Sequence, residues 1–349
     1  MTDNNLRETL RRLPKAELHC HLDGSVRPST LAELAAECGV TLPCKPDPDD
    51  VARLMHVTDA ATLEEYLQRF EYTISVMQTE DSLERVAYEL VADAHADGIR
   101  YIEVRNAPLL NTRGGLSLDA VVDATVRGLQ RGEREFGVVA RFIVCALRNL
   151  PAESSMEQAR LAVAHNDRGV VAFDLAGGET GNPAKVHAAA FAYARDHDLA
   201  VTVHAGEGHG VESIRQAVHD CGANRIGHGT RLFEDPSLAQ YVNDRRIALE
   251  MCPTSNVQTR AVASYAEHPF REYFARGMNV TLNTDNRLMS GTTLTDEYLH
   301  AAKEMGFAVS DLSLVALNGF ASAFLPWEER LALIESVRGG IDAIEETVS

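Results

Sequence analysis

Eight short apolar runs, each separated from the next by a stretch of helical character, set the narrowest limit on what this chain can fold into. The runs lie at residues 16–20, 99–104, 139–146, 169–174, 199–204, 225–228, 247–251 and 278–283. Most are almost continuously apolar, as parallel strands buried on both faces are. Between them fall amphipathic segments, such as 81–97 and 118–134, with apolar residues spaced three and four apart. Eight strands alternating with helices predict an α/β fold, a single (β/α)8 TIM barrel spanning residues 1–349. A doubly wound open sheet is the alternative, but no glycine-rich phosphate-binding turn follows the first run.

One connection is too long for a single crossover helix. Residues 24–98 separate the first two runs, so extra helices are expected after the first strand. "PCKPDPDD" reads as a loop. The segment behind it is amphipathic, with Leu63, Tyr66, Leu67, Phe70, Ile74 and Met77 on one stripe. The insertion leaves the C-terminal end of a barrel strand, where such barrels place their active sites, so part of the stripe is expected to roof a pocket for an apolar ring. Packing on the barrel wall is the plainer reading. The tail after about residue 310 reads as helices that finish the ring.

The chain carries 51 acidic and 33 basic residues, a formal charge of −18. That disfavours nucleic acid and anionic membranes as partners but leaves an uncharged nucleoside open. No stretch approaches the ~18 consecutive apolar residues of a membrane span. The start, "MTDNNLRETLRRLPK", lacks the apolar segment of a secretion signal. Six scattered cysteines (Cys20, Cys38, Cys44, Cys145, Cys221 and Cys252), with no CxxC pair, are expected to be reduced, buried thiols of a cytoplasmic protein.

Chemistry is expected where the strands end. "KAELHCHLDG" places His19 and His21 two apart, so within a strand both imidazoles share a face. Later runs end in Asp174, Gly177 and Glu179 ("DLAGGET"), His204 and Glu207 ("HAGEGHG"), His228 ("GHG"), Glu250 ("LEMCPTSN"), and Asp285 with Asn286 ("LNTDN"). The opposite strand ends are expected to carry few ionisable groups. Taken singly, His204 reads as a structural histidine, "GHG" as a turn, and Asp285-Asn286 as a turn or helix cap. Taken together, the histidines after strands 1, 5 and 6 and the aspartate after strand 8 suit a metal. Three imidazoles and one carboxylate, with water in an open position, would hold a borderline divalent ion such as Zn2+.

The segments "PKAELHCHLDGSVRP", "DLAGGET", "VTVHAGEG", "RIGHGTRL", "EMCPTSN" and "TLNTDNRLMSGTTLTDEY", in that order, resemble the adenosine deaminase family of the amidohydrolase superfamily. "FLPWEER" is similar to that family's C-terminal helix region. The resemblance implies one Zn2+ per chain, held by His19, His21, His204 and Asp285. It implies hydrolytic deamination of adenosine and 2′-deoxyadenosine, in which zinc-bound hydroxide attacks purine C6 and ammonia leaves. Asp285 would also take the water's proton, His228 would orient the hydroxide, and Glu207 would protonate N1. That last role needs a carboxyl pKa raised by a dry pocket.

The same resemblance implies substrate contacts. His21 would border the substrate as well as the ion. The Gly177 N–H would meet N3, Asp23 the sugar 5′-hydroxyl, and Leu63, Tyr66, Leu67 and Phe70 the ribose side. Glu250 would support a ligand without reacting. Many family members have a second aspartate, contacting N7, where this chain has Asn286. Asparagine carries N–H donors at any pH, so Asn286 is expected to donate to N7, with a cap on the following turn as the alternative. Other readings are deamination of a 5′-modified adenosine such as aminodeoxyfutalosine, deamination of adenine, a catalytically silent nucleoside-binding relative, and a metal hydrolase of esters or amides. Asp23 favours a free 5′-hydroxyl over bare adenine, because an unpartnered buried carboxylate is costly.

Overall fold

The computed structural model of the chain describes residues 3–57 and 68–348. All eight apolar runs fold as strands: β1 (Lys15–His21), β2 (Ile99–Asn106), β3 (Val139–Leu147), β4 (Val170–Ala176), β5 (Ala200–Ala205), β6 (Arg225–His228), β7 (Ala248–Met251) and β8 (Val280–Leu282). Each pairs in parallel with the next, in chain order. The ring closes between β1 and the residues after β8, through a bridge from Cys20 to Asp285. There the His21 N–H donates to the Asp285 carbonyl at 2.7 Å, and the Asp285 N–H to the His19 carbonyl at 2.9 Å. The result is the (β/α)8 barrel that the alternation predicts.

The amphipathic segments form helices Glu80–Ala96 and Leu118–Phe136. Thr79 and Ser82 close a capping box on the first. Ser117 caps the second, and Gly137 in the left-handed region ends it. The long insertion also holds helices Pro28–Cys38, Pro48–Met55 and Phe70–Val76. The loop expected at "PCKPDPDD" stops early. The Asp47 carboxylate accepts from the N–H groups of Asp49 (3.1 Å) and Asp50 (3.4 Å), and Pro48 opens a helix. Of the apolar stripe, Phe70, Ile74 and Met77 are buried, while Leu63, Tyr66 and Leu67 lie outside the described residues.

The tail forms helices Val309–Ala321 and Trp327–Val348. A helix at Asp3–Arg12 was not legible as such. Buried Lys15 ties its end to the barrel, donating from Nζ to the carbonyls of Leu10 (2.8 Å), Arg11 (3.2 Å) and Leu13 (3.0 Å). The cysteines are all free thiols, but only four are buried. Cys38 ends an outer helix and is exposed, and Cys44 is half-buried in the loop behind it. Among the described residues, no helix is long and apolar enough to cross a membrane.

The barrel interior departs most from expectation, because ionisable groups also fill its lower part. Tyr101, Glu103 and Arg105 alternate along β2, share a face and are fully buried. Arg225 of β6 pairs with Glu103 and, through Nε, with Glu250 of β7 at 2.6 Å. Arg105 Nη2 donates to Glu250 Oε2 at 2.9 Å, and Thr202 Oγ1 to Glu250 Oε1 at 3.0 Å. Burial alone would raise the Glu250 pKa, but the two guanidiniums hold it well below the usual carboxylate range.

Arg225→Met should therefore leave two buried carboxylates undercompensated. The expected loss is roughly 3–5 kcal/mol of folding stability, the scale of breaking a buried ion pair from one side. A lowered denaturant midpoint at constant slope would measure it.

Candidate active site

The C-terminal strand ends bring His19, His21, His204, His228 and Asp285 to one point. A ligating atom from each of His19, His204, His228 and Asp285 lies within 4.8 Å of the others. His21 Nε2 stands 3.1 Å from His204 Nε2 and 3.4 Å from Asp285 Oδ1, which is also 3.4 Å from His19 Nε2. The tightest group thus includes His228 in place of His21, and proximity alone does not choose between them. His228 (φ 62°) and Asp285 (φ 59°) both hold left-handed backbone conformations, which cost non-glycine residues energy and persist where surroundings impose them.

Two carboxylates orient two of the rings. His19 Nδ1–H donates to Glu250 Oε2 at 3.0 Å, and His204 Nδ1–H to Asp174 Oδ1 at 3.2 Å. Each bond leaves an Nε2 lone pair for the centre of the site. Arg105 joins the two carboxylates, reaching Asp174 Oδ2 at 3.0 Å and Glu250 Oε2 at 2.9 Å. Ser255 Oγ donates to Asp285 Oδ2 at 2.6 Å, leaving Oδ1 to face the histidines.

Burial holds His21 well below its ordinary pKa and brings His228 down to about 4, so both are neutral. Burial would raise Asp285, but the close approach of His19 first, with Nε2 at 3.4 Å, and then of the His228 and His21 rings holds the carboxyl well below its ordinary range. Neutral imidazoles with free lone pairs beside an ionised carboxylate fit a borderline divalent cation. His19 Nε2, buried without a hydrogen-bond partner, is the atom such an ion would satisfy.

A cavity of about 390 Å³ opens over this cluster, the size of a small-molecule site. Glu207 lines it, with Oε2 3.4 Å from His228 Nε2 and Oε1 accepting from Thr259 Oγ1 at 3.0 Å. Its loop is pinned by Glu179, which accepts from the N–H groups of Gly206 (3.0 Å), Glu207 (2.8 Å) and Gly208 (3.3 Å). Burial first, then the negative charges of Asp285 and Glu179, push the Glu207 carboxyl up to about 8.

Asp23 also faces the cavity. Its Oδ1 is buried without a partner, and burial raises its pKa to about 7. Gly177 borders the cavity at φ +98°, and a Cβ there would come within 3.2 Å of Asn149 Oδ1. Asn286 precedes the short helix Arg287–Ser290 yet makes no side-chain cap. Its Oδ1 is buried and unpartnered against Gly24, where a Cβ would sit 1.9 Å away. Phe70 and Ile74 form part of the apolar wall.

Sequence reading gave no role to Arg105, Asp174, Glu179, Ser255 or Thr259. The alternation of Tyr101, Glu103 and Arg105 was the available signal for the first of these. Asp174 and Glu179 were visible at a strand end, but their partners were not.

The family model for adenosine deaminase matches residues 14–339. A protein named adenosine deaminase from Mycobacterium sp. (strain JLS) is 44% identical over 347 residues, covering 95% of each chain. Among solved structures, an adenine deaminase from Arthrobacter aurescens superposes with a TM-score of 0.87 at 28% identity, covering 95% of this chain and 99% of that one. The N6-methyl-AMP deaminase from Arabidopsis thaliana gives 0.83 at 28% identity, covering 95% and 98%. With a match running nearly the whole length of the barrel, the chain belongs to the adenosine deaminase family.

Proposed function

We propose that the protein hydrolyses adenosine and 2′-deoxyadenosine to inosine and 2′-deoxyinosine plus ammonia, using one zinc ion per chain. The observation that carries this reading is the placement, across one cavity, of the histidine–aspartate cluster and a carboxyl that burial keeps protonated. His19, His21 and His204 and Asp285 would hold the ion. When bound, it lowers the pKa of a water towards ~7 and so makes hydroxide available at neutral pH.

The remaining chemistry belongs to the side chains. Glu207 gives its proton to N1, which leaves C6 electrophilic. Asp285 accepts the proton of the attacking water, with Ser255 Oγ–H on its Oδ2 holding the carboxylate in place. His228, within 3.4 Å of Glu207, orients the attacking oxygen. The Gly177 N–H binds N3, Asn286 donates to N7, and Asp23 binds the 5′-hydroxyl. Phe70 covers the ribose side.

The solved neighbours are named for adenine and for a nucleotide, so the choice of nucleoside needs its own support. No lysine or arginine is among the described residues that line the cavity, and residues 58–67 contain none. Among the described residues a 5′-phosphate would find no basic side chain and would meet Asp23 instead. Bare adenine would leave the buried Asp23 oxygen without a partner.

A panel assay tests the reading. Adenosine and 2′-deoxyadenosine should lose adenine absorbance rapidly, and adenine and adenosine 5′-monophosphate far more slowly. Preference for the monophosphate would overturn the role given to Asp23.

Glu207→Gln should keep the fold and the zinc, checked by thermal melt and elemental analysis, and lose about 10²–10⁴-fold in kcat. In the wild type the acid form is present below the Glu207 pKa and lost above it. A bound cation favours the carboxylate, so the alkaline limb of kcat should fall no higher than about pH 8.

Replacing N7 by carbon, as in 7-deazaadenosine, should reduce kcat/KM by roughly tenfold to a hundredfold, the cost of one buried hydrogen bond. In Asn286→Ala that penalty should shrink towards nothing. An equal penalty in both proteins would remove Asn286 from N7.

A further inference from the structure

His228 stands at the end of a chain of hydrogen bonds whose direction is set at the far end. Phe270 opens the helix Phe270–Ala275, directly after Pro269. Its backbone N–H is one of the donors that a helix start leaves without an intrahelical partner. It donates to His268 Nδ1 at 3.2 Å, so that nitrogen carries a lone pair. Burial pushes His268 down to about 3, so the ring is neutral and its one proton sits on Nε2.

From there each polarity follows. His268 Nε2–H lies 3.2 Å from Asn256 Oδ1, which accepts. The amide is thereby oriented, and Asn256 Nδ2–H donates to His228 Nδ1 at 3.0 Å. With Nδ1 accepting, the ring proton of His228 sits on Nε2, the nitrogen beside Glu207. The reverse polarity fails at one point. Flipping Asn256 would require a proton on His268 Nδ1, which would meet the Phe270 N–H head-on. His228, Asn256 and His268 are all buried, which makes an unmatched pair of donors costly.

We propose that Asn256 and His268 are positioning residues that fix His228 as the Nε2–H tautomer, a permanent hydrogen-bond donor to the reacting oxygen. The lock also keeps His228 out of the cation-binding set that its proximity would otherwise admit. His19 and His204 are oriented the opposite way, because each gives its Nδ1–H to a carboxylate. One site therefore holds histidines of both polarities, set by whether the group behind the ring accepts or donates. This inference rests on reading the site as a metal-assisted deaminase.

The test is nitrogen NMR of metal-stripped protein labelled at histidine nitrogen. The His228 signals are assigned by their loss in His228→Gln. The expected wild-type spectrum shows a bare Nδ1 and a protonated Nε2 for His228. Asn256→Asp has nearly the same shape but offers only oxygens towards His228, so Nδ1 should gain a proton. With metal restored, its kcat should fall by about 10²-fold or more, the scale of losing one preorganised donor, with KM little changed. A thermal melt of the variant checks the fold. A wild-type His228 protonated on Nδ1 would overturn the proposal, as would Asn256→Asp with an unchanged tautomer. Should that variant fail to fold, the wild-type spectrum decides by itself. Because the spectrum is taken without metal or substrate, it stands or falls separately from the identity of the purine.

Discussion

The Glu250 carboxylate is the contact on which both the barrel and its site depend. It accepts from Arg105, Arg225, Thr202 and His19 and is fully buried. Without it, two guanidiniums inside the barrel would lack their shared counter-charge, and a buried charge left unpaired costs several kcal/mol. Its partners reach in two directions. Arg225 connects downward to Glu103, and Arg105 connects sideways to Asp174 and through it to His204. The charges that balance the barrel interior are therefore the same ones that aim two of the imidazoles. Truncating any member of such a network moves its neighbours, which makes the effects of single substitutions there non-additive.

Burial gives opposite results at adjacent groups, and the site uses both. It discourages charge, so His21 and His228 stay neutral while Glu207 stays protonated. Asp285 lies in the same dry surroundings but is held well below its ordinary range, chiefly by His19 at 3.4 Å. Two carboxyl groups in one cavity are thus shifted in opposite directions by their neighbours alone.

The strands and the site residues at their ends were legible because both follow a period: buried strands read as apolar runs, and barrel chemistry collects at one end of them. His19, His21, His204, His228 and Asp285 could be named from position. Which of the four histidines face a cation could not, because that depends on what stands behind each ring. Glu103 and Arg105 were hidden for a related reason. Within "IRYIEVRN" they look like the wet face of a half-exposed strand, and only closure of the ring turns that face inward. His268 gave no signal at all, since its link to His228 passes through Asn256 on a separate short helix.

The seam that closes the barrel is made by the backbone of site residues, with His21 N–H on the Asp285 carbonyl and Asp285 N–H on the His19 carbonyl. Side chains reinforce the seam, with Leu18 N–H on Asn283 Oδ1 at 2.8 Å and Thr284 N–H on Glu17 Oε1 at 2.7 Å. A chain still emerging from synthesis, or a barrel cracked open along this line by warmth, has no assembled centre even if every helix is formed. Competence therefore requires that this seam be closed. Every working molecule is necessarily a closed ring.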